Sequence, residues 1–321
     1  MQDVARRAGV SYQTVSRVLN SPEAVRASTV ARVQAAIAEV GYVPNLAARA
    51  LKTRRSGIIG VIAPRSRLFG PLTTMGAIEI AARAAGMATL ITLLEHPSAE
   101  AAQAFRLMAE HAVEGIVVVA PEVGMGEAIT LVSRAIPTVV VASGVESGER
   151  AAVVAVDQQA GARLAVQHLA ARGRRRIAHL AGPQTWFDAR SRVDGWREAI
   201  GELGLDPAGC PLLPGDWRAE TAYRVVRDLP GDDLPDAVFA ANDEAALGVL
   251  TALRERDIRV PEEIAVVGFD DAPGSDFYYP PLTTVRQPFD ELGLVAVSIL
   301  TSPTEPGAAV VRPQLVVRQS S

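Results

Sequence analysis

One short segment contains four polar or aromatic side chains that would share one face of a helix: Tyr12, Gln13, Ser16 and Arg17. A glutamine can pair bidentately with adenine, an arginine with guanine, and a tyrosine offers an apolar surface to a thymine methyl group. A short helix with such a face is typical of a helix that lies in the major groove of DNA. The alternative is an ordinary helical hairpin with a solvated face, since short motifs also occur by chance.

A helix, a tight turn and a second helix are needed to position that face. Gly9 is predicted to end the first helix, because glycine tolerates the positive φ that the turn requires. Ser11 is predicted to cap the second helix, since its hydroxyl can accept a hydrogen bond from an N–H group of the first turn. The buried faces are predicted to contain Val4, Ala5 and Ala8 in the first helix and Val15, Val18 and Leu19 in the second.

A third helix is predicted near residues 28–40, ended by Gly41. Its apolar face is predicted to consist of Val30, Val33, Ile37 and Val40. Three short helices have a small core, so we expect DNA and an oligomer to help this segment keep its shape. Asn20, at the end of the second helix, is predicted to contact DNA together with the four side chains above.

Charge is distributed unevenly along the chain. The whole sequence has a net charge of −4, which by itself argues against a nucleic-acid partner. Residues 1–55, however, contain nine basic and three acidic side chains, a net charge of +6, so the remaining residues carry −10. A basic N-terminal segment on an acidic body is the distribution expected when only that segment meets phosphate.

The segment that follows Pro44 predicts a short helix that needs support. Asn45 can cap it, but the helix would have about two turns, a length that is marginal alone in water. A pair of such helices, one from each subunit, could enter the minor groove and wedge Leu51 into a base step. Asn45, Ala48 and Leu51 are therefore predicted DNA contacts, and the alternative is a plain linker.

From residue 57 onward, short apolar runs alternate with alanine-rich segments. Strands are predicted at 58–62, 88–93, 115–119, 138–141 and 152–156, then at 177–180, 237–240 and 264–268, with a last one at 314–318. The helices between them include 72–85, 99–110, 160–172, 190–203, 219–229 and 244–256. Such strands indicate two parallel sheets covered on both faces. A ligand would bind between these two halves, outside the carboxyl ends of the strands.

Polar side chains fall where that cleft would lie. Asn242 and Asp270 each follow a predicted strand, and Arg192 lies near the start of a predicted helix. A guanidinium, a carboxylate and an amide suit vicinal hydroxyl groups of a sugar, and Trp217 could stack on an apolar sugar face. Two alternatives remain open: Arg192 and Asp270 could form a purely structural ion pair, and Asn242 could cap a helix.

Longer motifs accompany these residues: LAGP at 180–183, GDW at 215–217, AND at 241–243, VGFDD at 267–271 and PPLTT at 280–284. With residues 3–20, 41–45 and 50–51 they resemble the lactose repressor family of transcriptional regulators over nearly the whole chain. The resemblance implies an α/β protein with an all-α helix-turn-helix head and a periplasmic-binding-protein-like core of two doubly wound parallel-sheet subdomains.

The resemblance also implies a division of the chain. Residues 1–44 would be the DNA-binding domain, residues 45–56 a hinge helix or linker, and residues 57–321 the effector-binding and dimerisation core. The N-subdomain would comprise about 57–157 and 287–313, and the C-subdomain about 158–286 and 314–321. The chain would cross between them near Asp157, Arg286 and Pro313.

Eight residues match the family's effector-binding positions: Arg192, Asn242, Asp270, Trp217, Asp188, Phe289, Leu292 and Leu68. Asp188 stands where a serine lines the family's pocket. Pro64, Ala120 and Ala142 fall where the family has polar pocket residues, and all three belong to the N-terminal half. A sugar is therefore the expected effector, but galactosides of the lactose type are not.

Several other classes of protein are disfavoured. The single cysteine, Cys210, cannot form an internal disulfide, and neither a signal peptide nor a membrane-spanning run is evident, so we expect a cytoplasmic protein. The four histidines lack metal-ligand spacing, and we predict no cofactor, no metal and no enzyme activity.

The predicted function is that of a repressor, dimeric because the chain ends soon after its last predicted strand. It would be released from a pseudo-palindromic operator by a small sugar. The alternatives are a periplasmic-type sugar receptor, or a regulator that uses its ligand as a corepressor.

Overall fold

The computed structural model describes residues 1–42, 55–145, 151–302 and 307–321. The chain divides into two compact units, residues 1–56 and residues 57–321. None of the helices in the described ranges is both long and apolar enough to cross a membrane.

The first unit contains three helices, α1 (Gln2–Ala8), α2 (Tyr12–Asn20) and α3 (Ala27–Val40). The two predicted glycine turns are confirmed, since Gly9 has φ 63° and Gly41 has φ 62°. The predicted cap is also present, because the Ser11 hydroxyl accepts a hydrogen bond of 3.1 Å from the Thr14 N–H. Local sequence signals thus determine where these helices begin and end.

The core of this unit lies where the three helices meet. Its buried members are Val4, Ala5, Ala8, Val15, Val18, Val33 and Ala36. The prediction for α3 was partly wrong, because Val40 is 41% exposed whereas Ala36 is buried. Ala36 lies on the inner face one turn before Val40, which is at the exposed end of the helix. A surface ion pair between Arg7 and Glu39 joins α1 to α3.

The second unit is built on two sheets, and the first defines its N-terminal half. The strands are β1 (Ile58–Pro64), β2 (Ala88–Leu94), β3 (Gly115–Val119), β4 (Thr138–Val141), β5 (Ala151–Val156) and β11 (Ala308–Val311). They are parallel and follow the order β2-β1-β3-β4-β5-β11. Helices α4 (Phe69–Ala84) and α11 (Phe289–Thr301) cover one face, and α5 (Pro97–Glu110) and α6 (Gly126–Ser133) cover the other.

The second sheet defines the C-terminal half and repeats the same order. Its strands are β6 (Ile177–Leu180), β7 (Leu212–Leu213), β8 (Ala237–Ala240), β9 (Ala265–Asp270), β10 (Thr283–Arg286) and β12 (Gln314–Val316). The order is β7-β6-β8-β9-β10-β12, and β12 runs antiparallel to β10. Helices α7 (Gln158–Ala171) and α8 (Phe187–Glu202) cover one face, and α9 (Ala219–Arg227) and α10 (Asp243–Glu255) the other.

The chain passes between the halves three times. The crossings lie between β5 and α7 at Asp157, between β10 and α11 at Gln287, and between β11 and β12 at Pro313. The resemblance had implied crossings near Asp157, Arg286 and Pro313. The predicted fold of a helical head with two doubly wound halves is confirmed. The carboxyl ends of β1, β3, β4, β6, β8 and β9 all lead into loops that line the same cleft.

Candidate DNA-reading face and ligand-binding cleft

Helix α2 presents the predicted DNA-reading side chains away from the core of its unit. Tyr12 is 54% exposed, Gln13 and Arg17 are exposed, and Ser16 is half-buried. Val15 and Val18 on the opposite side are buried, so the amphipathic pattern predicted from the sequence is present. The helix ends at Asn20, whose side chain lies outside the described part of the chain, as do Asn45, Ala48 and Leu51.

A cleft lies between the two halves of the second unit, and about 590 Å³ of space not occupied by atoms, open solvent included, lies within it. The eight effector-binding residues predicted from the sequence all line it: Leu68, Asp188, Arg192, Trp217, Asn242, Asp270, Phe289 and Leu292. The structure therefore brings together side chains that are more than 200 positions apart in the sequence.

Arg192 is the buried cation of the cleft. It lies in the second turn of α8, and its side chain is 5% exposed. The Nε–H donates to Gln158 Oε1 at 2.9 Å, and an Nη1–H donates to the Ala241 carbonyl. The guanidinium carbon lies 3.9 Å from the centre of the Phe269 ring. These contacts hold the plane of the guanidinium and leave Nη2 to face the carboxylate of Asp270.

Asp270 is the last residue of β9, and its φ of 111° is unusual for a residue other than glycine. Its Oδ1 accepts a hydrogen bond of 2.6 Å from Gln287 Nε2, and it lies 3.9 Å from Arg192 Nη2. Burial raises the pKa of Asp270 to about 6, although the positive charge of Arg192 opposes that shift. The ion pair is too long to be a hydrogen bond, so each partner can still bind a ligand hydroxyl.

Two glutamines connect this pair into a ring, and the sequence analysis did not identify them. Gln158 donates from Nε2 to Gln287 Oε1 at 2.8 Å, so the ring runs from Arg192 through both glutamines to Asp270. Gly195 lets α8 approach the start of α7, since a Cβ there would lie 2.4 Å from the Gln159 carbonyl oxygen. Their position in the sequence could have identified them, because each glutamine follows a predicted crossing by one residue.

Asn242 has both of the roles that the sequence left open. Its Oδ1 accepts a hydrogen bond of 2.8 Å from the Ala245 N–H, which makes it the N-cap of α10. Its side-chain amide nitrogen has no hydrogen-bond partner among the described residues, and the residue lines the cleft. The cap fixes the side chain, so the free N–H groups are held in place for a ligand oxygen.

Two tryptophans form an aromatic corner of the cleft. The rings of Trp186 and Trp217 meet edge to face, with centroids 5.9 Å apart. Trp217 has φ 73°, a conformation that bulky residues seldom adopt, and its Nε1 is buried without a partner among the described residues. Gly182 makes room for it, because a Cβ there would lie 2.6 Å from the ring. Sequence reasoning found Trp217 but missed Trp186.

Asp188 joins the two halves across the cleft. It lies in the first turn of α8, and its Oδ1 accepts a hydrogen bond of 2.7 Å from the Ser143 N–H of the N-terminal half. Burial raises the pKa of Asp188, and the positive charge of Arg192 partly offsets this. A second cross-cleft contact is the 3.0 Å hydrogen bond from the Val123 N–H to the Thr185 carbonyl.

The N-terminal wall of the cleft is apolar. Leu68, Phe289 and Leu292 line it as predicted, and the Phe289 ring packs edge to face on Phe69 with centroids 5.6 Å apart. Ala120 and Ala142 also line the cleft. Pro64 ends β1 and is not among the lining residues.

Two acidic residues that follow β8 and β9, Asp243 and Asp271, have structural roles. Asp271 forms ion pairs with Arg286 and Arg318, at 2.7 and 2.6 Å. Asp243 accepts hydrogen bonds from the Ala272 N–H and the Thr284 hydroxyl, and burial raises its pKa to about 8. In the described ranges, no group of three or more histidine, cysteine or acidic side chains could hold a metal ion.

Comparison with known proteins agrees with this geometry. Residues 1–45 match the model of bacterial regulatory proteins of the lacI family, and residues 166–321 match that of the periplasmic binding protein-like domain. The chain is 35% identical to the lactose operon repressor of Escherichia coli (strain K12), over 98% of this chain and 87% of that protein.

Two solved structures resemble the chain over almost its full length. The Lac repressor dimer bound to operator and the anti-inducer ONPF has a TM-score of 0.86 and 30% identity, covering 99% of this chain and 97% of that one. The complex of the transcriptional regulator CelR with cellobiose has a TM-score of 0.74 and 31% identity, covering 100% and 99%.

Proposed function

We propose that this chain, which belongs to the lacI family of bacterial regulatory proteins, is a repressor that a small sugar releases from its operator. Family membership makes it a ligand-regulated, DNA-binding repressor and not an enzyme. The sugar, the homodimer and the roles of individual residues are our proposal. Residues 1–44 would bind DNA, residues 45–56 would act as a hinge, and the cytoplasm is where such a protein would meet its operator.

The observation that carries the sugar assignment is the convergence of Arg192, Asn242 and Asp270 beside Trp217. Each of the three polar side chains is fixed by bonds to the protein and keeps hydrogen-bonding capacity toward the cleft. Vicinal hydroxyl groups can accept from the first two and donate to the carboxylate, and a pyranose ring has an apolar face that suits an indole. The solved complex of the relative CelR with cellobiose supports this choice.

DNA recognition is assigned to α2. Tyr12, Gln13 and Arg17 are exposed on one face, where they could contact base edges in the major groove, while Ser16 and Asn20 would complete the contacts. The net charge of +6 on residues 1–55 would hold this unit against phosphates. Asn45, Ala48 and Leu51 are proposed to contact the minor groove from the hinge.

A homodimer is proposed because apolar side chains are exposed on both halves of the second unit. Ile91 and Leu93 of the edge strand β2 are 45% and 46% exposed, and Ile80 of the neighbouring α4 is 58% exposed. In the C-terminal half, Phe277 and Tyr279 are each 85% exposed. An exposed edge strand with apolar residues is a surface that proteins usually cover, and a second copy would place two α2 helices on a pseudo-palindrome.

In the proposed switch, the two halves of the second unit move relative to each other about the three crossings of the chain. A sugar held by the C-terminal half would change the relative pose of the N-terminal half, to which residues 45–56 are joined. The effect on operator affinity is limited by the difference between the sugar's affinities for the two poses.

Operator binding in the presence of sugars tests the proposal. The operator of the lactose operon repressor is the first DNA to try, because the segment 12–18 resembles the recognition helix of that protein. Fluorescence anisotropy of labelled operator would be followed as mono- and disaccharides are added. Arg192→Ala should abolish the sugar response and leave operator binding intact. Arg197→Ala is the matched control, since that residue of the same helix is exposed and pairs with Asp194 at the surface.

If Arg192→Ala still responds to the sugar as the wild type does, the cleft is not the effector site. If the wild type binds operator but no sugar alters that binding, the sugar assignment is wrong.

A further inference from the structure

The ligand-binding side chains of the cleft are almost closed off from solvent. Arg192, Asn242, Trp217 and Asp270 line the cleft, yet each is only 4–7% exposed. A molecule of the size of a sugar can therefore reach them only when the N-terminal and C-terminal halves separate. The three crossings of the chain stay intact during such a movement, so the contacts that break are non-covalent.

Residues 185–191 of the C-terminal half make contacts of this kind, and we call them the docked segment. At its start, the Thr185 carbonyl accepts a hydrogen bond of 3.0 Å from the Val123 N–H of the N-terminal half. Trp186 and Glu122 form an antiparallel bridge beside this bond. The loop that follows β6 is thus paired, backbone to backbone, with the loop that follows β3.

The first turn of α8 extends the contact. The Asp188 carboxylate accepts a hydrogen bond of 2.7 Å from the Ser143 N–H, and Ser191 lies one turn further along the same face of the helix. A Cβ at Gly144 would lie 2.8 Å from the Ser191 hydroxyl oxygen, so the backbone of the N-terminal half lies directly against this turn. The halves are therefore in contact at both ends of the docked segment.

Phe187 adds an apolar contact between the halves. Its half-buried ring belongs to the C-terminal half but packs against a core cluster of the N-terminal half, which includes Met125, Ile129 and Val140. Separation of the halves would expose this ring to water, which is unfavourable in proportion to the apolar area exposed. Phe187 therefore stabilises the closed arrangement in addition to the hydrogen bonds on either side of it.

Both sides of this contact are attached firmly to their own halves. In the loop after β3, a Cβ at Gly124 would lie 2.4 Å from the Ser98 hydroxyl oxygen, so this loop packs closely on the start of α5. In the docked segment, the Trp186 N–H donates to the Pro183 carbonyl at 3.0 Å, and α8 begins at the next residue. The contacts therefore break when the halves move apart and form again when the halves close.

We propose that the docked segment holds the cleft shut and that its release admits the effector. The inference rests on the proposed role of the cleft as the effector site, and it adds a control of access to that site. Because the effector enters and leaves only while the segment is released, the stability of the contact sets both rates. The docked segment therefore determines how quickly the repressor responds to its effector.

The experiment measures access to the cleft without a ligand. Val156 lines the cleft and is 3% exposed, so the thiol of Val156→Cys should react with iodoacetamide only when the halves separate. The natural Cys210 is 2% exposed in the core of the C-terminal half, so its alkylation reports wider unfolding and serves as the internal reference. Mass spectrometry of the full chain gives the rate of alkylation at each thiol.

Two substitutions in the Val156→Cys background weaken the contact in different ways. Phe187→Ala removes the apolar contact and should accelerate alkylation at position 156 by about tenfold. Val123→Pro removes one hydrogen-bond donor, and it suits the backbone because Glu122 has φ −86° and ψ 157°, the extended conformation favoured before proline. It should accelerate the reaction by roughly threefold or more, and it keeps the test valid if Phe187→Ala fails to fold.

Leu90→Ala is the matched control. Leu90 is also half-buried and packs against the same core cluster as Phe187, but it lies in β2, so its truncation leaves the contact between the halves intact. It should leave the rate at position 156 unchanged.

Three results would overturn the inference. The first is an unchanged rate at position 156 in Phe187→Ala and Val123→Pro. The second is an equal acceleration by Leu90→Ala, and the third is an equal acceleration at Cys210. Any of them would leave the sugar function standing, because no sugar takes part in this experiment.

Discussion

The side-chain amides of Gln158 and Gln287 are joined by a hydrogen bond of 2.8 Å that connects two of the three crossings between the halves. Both residues are buried, and each also bonds one charged residue of the cleft: Gln158 accepts from Arg192, and Gln287 donates to Asp270. A ligand that competes for either charged group must therefore disturb hydrogen bonds made by the crossings themselves. The ring therefore connects the cleft directly to two of the crossings about which the halves would move.

Gln287→Leu should weaken the coupling between sugar and operator. A leucine cannot form a hydrogen bond with Gln158 or Asp270. The second crossing would therefore lose its hydrogen bonds to the ligand-binding residues. The ratio of operator affinities with and without saturating sugar should change by about 0.5–2 kcal/mol in free energy. Paired operator titrations measure that ratio, and sugar titrations without DNA show whether the cleft still binds. The same substitution at the exposed Gln167 of α7 is the control and should leave the ratio unchanged.

Gly182→Ala should displace Trp217. The added Cβ would lie 2.6 Å from the indole ring, so the ring or the strand end must move. Such overpacking typically costs about 1–3 kcal/mol in the free energy of unfolding, and we expect sugar affinity to fall as well. Gly201→Ala in α8 is the control, because nothing lies within 4 Å of its Cβ. Chemical denaturation and sugar titration of both variants test this. Unchanged sugar affinity in Gly182→Ala would show that Trp217 is not a ligand contact.

His179 makes stability depend on pH. It is fully buried between the Phe239 and Trp196 rings, its Nδ1–H donates a hydrogen bond of 2.9 Å to the Phe239 carbonyl, and its Nε2 has no partner among the described residues. Burial lowers its pKa to about 3, from 6.5. Between these two pKa values, His179 is protonated in the unfolded chain but neutral in the folded chain. The free energy of unfolding therefore falls as pH drops below 6.5.

The contribution of His179 should be lost gradually, by roughly 2 kcal/mol at pH 5 relative to pH 7. His179→Phe retains a stacked ring that cannot titrate, so its free energy of unfolding should vary less between these pH values. Urea unfolding at pH 5 and pH 7 measures the free energy of unfolding of both proteins. The control is His111→Phe, at an exposed position, which should keep the pH dependence of the wild type.

The sequence predicted the fold and the lining of the cleft because both depend on repeated local signals. Apolar runs between alanine-rich segments predicted most of the strands. The positions just after two predicted strands identified Asn242 and Asp270 as candidate ligand-binding residues. Strands β7, β10 and β11 were not predicted, because β7 has two residues and because β10 and β11 each follow a proline-containing segment. The predicted helix at 190–203 begins three residues earlier, at Phe187, which places Asp188 in its first turn.

The sequence could not predict which residues far apart in the chain form hydrogen bonds with each other. Gln158 and Gln287 are ordinary polar residues until the crossings bring them to 2.8 Å. The basic run at 172–176 lies between α7 and β6, and most of it is exposed. Arg174 is the exception, since its guanidinium donates to the Pro261 and Glu263 carbonyls and holds that loop. Such contacts follow from tertiary packing and have no periodic signature.

Sugar affinity should itself depend on pH through Asp270. As an anion it can accept hydrogen bonds from two ligand hydroxyls, and protonation removes part of that capacity. Burial raises its pKa to about 6, while Arg192 and the Gln287 amide favour the anion and Asp188 opposes it. Sugar affinity should therefore fall as pH decreases from 7.5 to 5, by up to about tenfold for each pH unit below the pKa. Asp270→Asn keeps the shape but cannot titrate, so its weaker binding should vary less with pH. An equal pH dependence in that variant would assign the titration to another group, such as Asp243, whose pKa burial raises to about 8.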